Sequence, residues 1–105
     1  MNTVVWNVSI KQADMTLFAG ECRFCSDGQL LNLTPISEKL FTVMMFEIID
    51  PGVMSSDELE ILATPLYGEN DGRVKLPMSG MVVIHATPAY MTVLEDGQVI
   101  KIEKN

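Results

Sequence analysis

At 105 residues, 48 % of them hydrophobic, the chain can fill one core but not two, and it is too apolar to stay disordered. Fourteen acidic residues against seven basic ones leave a formal net charge of −7. The basic residues are scattered at Lys11, Arg23, Lys39, Arg73, Lys75, Lys101 and Lys104, so no clustered positive surface points to nucleic acid or an anionic membrane as a partner.

Taken in chain order, Val4, Trp6, Val8 and Ile10 share one face of a strand. Nothing in Met1–Ile10 has the basic-then-apolar form of a secretory leader, and no apolar run reaches the ~18 residues of a bilayer span, so the expected compartment is the cytoplasm. Cys22 and Cys25 form a Cys-x-x-Cys pair, which suits zinc or thiol exchange. Neither context is complete: a zinc site needs about four ligands, and the turn Ser26-Asp27-Gly28-Gln29 stands where a redox helix would begin. The pair is read as two ordinary thiols, with metal binding only a weak candidate and no cofactor expected. Asp-Gly recurs at Asn70-Asp71-Gly72-Arg73 and Glu95-Asp96-Gly97-Gln98, so three hairpins are expected.

The middle of the chain reads as helical. Thr34-Pro35 has the form of a helix start, Leu40, Phe41, Met44, Met45, Ile48 and Ile49 recur at four-residue spacing, and Asp50-Pro51-Gly52 forms a stop. The β-branched Thr42, Val43, Ile48 and Ile49 suit a buried strand instead, and helix is the favoured reading. Ser55 to Glu58 offers a capping box for a second, short helix. The segment after it also belongs to an internal echo: Ile61 to Tyr67 and Ile84 to Tyr90 each read as a strand stopped by proline, then a corner. Met81 to Ile84 is a more buried strand, and Met91 to Leu94 with Val99 to Ile102 brackets the last turn. The expected fold is one α+β domain over 1–105. It is mainly antiparallel β (a hairpin-rich sheet, sandwich or roll), with one or two helices at about 35–49 and 56–62.

Catalytic motifs are lacking. The sequence has no Gly-x-Ser-x-Gly, phosphate loop or dinucleotide fingerprint, and its one histidine, His85, shares a strand face with Met81 and Val83. Acidic pairs such as Asp57-Glu58 and Glu95-Asp96 sit at turns and caps, where carboxylates are structurally favoured. No catalytic residues are expected, and a small enzyme using His85 with a carboxylate ranks last. Methionine is abundant, at eight residues. Because Met side chains adapt to irregular surfaces, Met44, Met45, Met78, Met81 and Met91, with Tyr67 and Tyr90 at the rim, are the candidate ligand- or partner-binding set.

The segments Leu17-Phe18-Ala19-Gly20-Glu21, Asp27-Gly28-Gln29-Leu30, Pro51-Gly52-Val53, Met78-Ser79-Gly80 and Thr92-Val93-Leu94-Glu95-Asp96 occur in an order that resembles the N-terminal β-sandwich domain of ATP synthase epsilon subunits. That resemblance would imply a rotor-stalk domain without catalysis of its own. It departs from the family where Gly80-Met81 replaces a Gly-Gly pair. The leading expectation from the residues is a non-enzymatic interaction module, acting by self-association, as a homodimer, or through a partner protein. The alternative is a Met-lined cleft for a small hydrophobic or cationic ligand.

Overall fold

The computed structural model describes residues 2–36, 44–68, 80–95 and 98–103. Seven strands run through them: β1 (Asn2–Gln12), β2 (Met15–Asp27), β3 (Leu30–Pro35), β4 (Met44–Met54), β5 (Leu59–Gly68), β6 (Val82–Glu95) and β7 (Gln98–Glu103). Each pairs antiparallel with the next, and β6 also pairs back onto β1, as in Val8↔Ala86 and Ile10↔Ile84. The first six strands therefore close into a barrel, and β7 continues the sheet outside it. The ends of β2, β4 and β6 lie at one rim, together with the start of β1.

Period-two alternation decides which side chains fill the barrel. Trp6, Val8 and Ile10 point inward from β1, Leu31 and Leu33 from β3, and Met44, Phe46 and Ile48 from β4. Leu59, Ile61 and Ala63 follow from β5, and Val82, Ile84 and Ala86 from β6. Small residues (Cys22, Ala63, Ala86) set among large ones let six strands close around a filled interior. Each large buried side chain contributes roughly 1.5–3 kcal/mol relative to exposure. Trp6 also packs against Phe24 of β2, ring centroids 6.1 Å apart and tilted by 53°.

This architecture corrects the α+β expectation: the described residues are all-β and contain no helix. Of the helix expected over 35–49, Pro35 ends β3 and 44–49 belong to β4, while 37–43 lie outside the described residues. The four-residue spacing misled because Met45 is only half-buried on the outer face, and Ile49 is the extra residue of a bulge between Ile48↔Ala63 and Asp50↔Leu62. Asp50-Pro51-Gly52 stops nothing. Gly52 (φ +50°) opens a bulge in which Gly52 and Val53 both oppose Glu60, and Asp50 Oδ1 accepts the Gly52 N–H at 3.0 Å.

The helix expected over 56–62 is likewise absent, since Leu59 already begins β5. The Ser55–Glu58 capping chemistry is nevertheless present. The Glu58 and Asp57 N–H groups donate to Ser55 Oγ at 3.0 and 3.2 Å, and the Ser55 N–H donates to the Glu58 carbonyl at 3.0 Å. These bonds close the four-residue β4–β5 loop, because a serine that can cap a helix can equally satisfy a tight turn.

The prolines of the internal echo do not stop their strands. In Ala63-Thr64-Pro65-Leu66-Tyr67 and Ala86-Thr87-Pro88-Ala89-Tyr90 the strand runs on, and the residue after proline is bulged out of register in both. Among the described residues Pro65 pairs only with β4, and Pro88 only with β1. A proline lacking an N–H costs no ladder bond on an open side. Of the three expected Asp-Gly hairpins, the first is described, one residue late. Asp27 still pairs with Leu30, and the loop is Gly28-Gln29 with Gly28 at φ +61°. The turns at Asp71-Gly72 and Asp96-Gly97 lie outside the described residues. No helix among the described residues is long and apolar enough to cross a membrane.

Candidate functional site

The methionines expected to form one cleft occupy different surfaces. Met44 is sealed inside the barrel, and Met45 sits half-buried on the outer face, opposite Asn32 and Tyr67. Met81 is exposed just before β6, Met91 is half-buried in the second half of β6, and Met78 lies outside the described residues. Tyr90 faces outward from β6 with the Lys101 ammonium 4.2 Å from its ring centroid, a cation–π contact.

The two cysteines point to opposite faces of β2, as a three-residue spacing in a strand dictates. Cys22 is buried, and loss of hydration pushes its thiol from 9.0 up to about 12, which keeps it protonated and unreactive. Cys25 is exposed. Among the described residues no group of three or more His, Cys, Asp or Glu side chains could hold a metal ion.

His85 has a carboxylate partner after all, Glu58 of the β4–β5 loop, with Nε2 and Oε2 3.1 Å apart. Beside this pair a shallow groove of about 350 Å³ runs over the outer face of β2, β1 and β6, lined by Asn7, Ser9, Ala19, Gly20, His85 and Thr87 among others. Ser9 stands directly across from His85 in the β1–β6 ladder. The set has the members of a hydroxyl–imidazole–carboxylate relay, but the electrostatics are weak. The His85 and Glu58 side chains are 43 % and 48 % exposed, so water screens them. The neighbouring backbone N–H groups belong to strand ladders, whereas acyl-transfer chemistry needs donors aimed at a developing oxyanion.

Among the described residues, a group of exposed apolar side chains lies where β6 leaves the barrel. Its first half (Val82–Ala86) is held between β5 and β1, and its second half (Tyr90–Val93) between β1 and β7. Beyond the barrel, then, β1, β6 and β7 form a three-stranded ribbon. One register row across it reads Val4–Met91–Ile102, and Ile100 lies on the same face two residues along β7. On β1 this face is continuous with the one that carries Trp6, Val8 and Ile10 into the barrel. Val4, Ile100 and Ile102 are 38 %, 41 % and 47 % exposed, whereas comparable residues inside the barrel are sealed.

Sequence reasoning placed Met91 in a candidate set but missed Val4, Ile100, Ile102 and Glu58. The alternation of Gln98–Glu103 shows that Ile100 and Ile102 share a face; it carries no signal that the face is uncovered. Compared with known protein families, with curated proteins and with solved structures, the chain matches none. The resemblance to epsilon subunits gains no support there, and the fold is a closed barrel rather than a two-layer sandwich.

Proposed function

We propose that this chain is a non-enzymatic interaction module whose contact surface is the β1–β6–β7 ribbon. The observation that carries this reading is the row Val4–Met91–Ile102 with Ile100 beside it, in which Val4, Ile100 and Ile102 are exposed. Clustered apolar exposure of this kind marks contact surfaces, whereas single exposed residues such as Met15 need no explanation. The groove at His85 is shallow and open to water, which is poor ground for catalysis. A photo-crosslinking residue installed at Ile102, and separately at Thr16 on β2 as a control, tests the reading in cells that express the chain. Adducts, whether chain-to-chain or chain-to-partner, are expected from position 102 alone. Equal yields from both positions would refute it.

A further inference from the structure

We infer that the partner of this ribbon is an extended, basic strand that adds to the open edge of β7; the inference rests on the interaction-module reading above. Among the described residues β7 pairs only with β6. On its far edge every second residue therefore presents an N–H and a C=O outward, the template that strand addition uses. A strand docked there extends the ribbon from three strands to four. Its alternate side chains fall on the face of Ile100, Ile102, Met91 and Val4, which asks for apolar residues at every second position.

Charge selects the occupant. β5 and β7 lie on the same flank of β6: β5 begins opposite Ala86, and β7 ends opposite Tyr90. The β4–β5 loop, which carries Asp57 and Glu58, therefore stands beyond the Glu103 end of the open edge. A strand running along β7 toward that loop meets carboxylates, and a lysine or arginine there is complementary. Glu58 already contacts His85, but that pair is half open to solvent and the loop stays acidic. A second copy of this chain fits less well. Each carries a net charge of −7, so two copies brought edge to edge repel.

The test uses the full chain and two synthetic peptides of about ten residues, the length of a long strand. One alternates valine with lysine, the other valine with glutamate. Backbone amide exchange with and without peptide locates binding, and sedimentation reports mass. The expected result is slowed exchange confined to β7 with the valine–lysine peptide, at least tenfold weaker binding of the valine–glutamate peptide, and weakening of the former with added salt. Replacing Asp57 with Asn and Glu58 with Gln together should remove most of the preference between peptides while leaving the fold intact. Ile100→Ser with Ile102→Ser should weaken both. Equal binding of the two peptides, or protection mapped away from β7, overturns the inference. A peptide-free dimer protected at β7 also overturns it, in favour of a second copy, while the interaction-module reading stands.

Discussion

Gly52→Ala is the sharpest test of how β4 is built. The site is exposed, so a rule based on burial alone expects a change within ~0.5 kcal/mol. The structure argues for more. At φ +50° any L side chain meets the left-handed penalty of about 1–2 kcal/mol. A Cβ built there would also lie 2.6 Å from the Glu60 carbonyl oxygen, a backbone atom that moves only if β5 moves. Relieving that contact strains the two-against-one bulge at Glu60 and the Gly52 N–H bond to Asp50, for a total of roughly 2–4 kcal/mol. With a urea m-value of ~1.5 kcal/mol/M, the denaturation midpoint should fall by on the order of 2 M. Gly28→Ala is the internal control. Its φ is +61° and nothing lies within 4 Å of its added Cβ, so it should cost only the left-handed term of about 1–2 kcal/mol. Equal, small losses for both substitutions would show that the clash, and with it the bulge at Gly52, is misassigned.

Ala13 holds φ +51° in the two-residue β1–β2 turn, so Ala13→Gly should raise stability by about 0.5–1 kcal/mol, roughly 2–6 °C in Tm; a lower Tm would contradict the turn geometry. Met44→Ala should cost ~2–5 kcal/mol by opening a cavity in the barrel, and Met45→Ala, on the outer face, only about 1 kcal/mol; equal losses in chemical denaturation would mean that the register of β4 is wrong. Burial raises the Cys22 thiol above its unfolded value, so the stability it carries is present below pH 9 and declines as pH rises from 9.0 toward about 12. Stability curves of wild type and Cys22→Ala across that window should therefore converge with rising pH, and parallel curves would exclude the effect. In the native state at pH 8 a thiol reagent should label Cys25 and spare Cys22.

Part of the sheet was legible from alternation. β1 reads directly from Val4, Trp6, Val8 and Ile10, and β7 from Ile100 and Ile102. Reading failed where a strand is bulged or half-buried on its outer face, because both erase the period of two. β4 combines the two: Met45 is partly covered, and the extra residue Ile49 shifts the pattern, so a strand imitates a helix. The Ser55–Glu58 signal was real chemistry assigned to the wrong context, since hydroxyl-to-amide bonds close turns as readily as they cap helices. The echo at Pro65 and Pro88 was visible as a repeat, but that both prolines fall where one flank of the strand is unpaired depends on the closed topology. The same holds for the site. His85 and Glu58 are 27 residues apart, and only the pairing of β5 with β6 brings them together. Exposure of the ribbon face depends on β7 lying outside the closure, which no local pattern encodes.

The seam between β1 and β6 has a kinetic meaning. Every other ladder joins neighbours in sequence, so hairpins can form one after another at modest entropic cost. The seam joins Val4 to Met91, close to the two ends of the chain, and must wait until the intervening strands are aligned. Until then the sheet is open, and both β1 and β6 show bare edges. Edges built to recognise each other do so equally well between molecules. At high concentration, before closure, one chain can therefore seal its barrel with the first strand of another, giving an exchanged dimer held by native pairings.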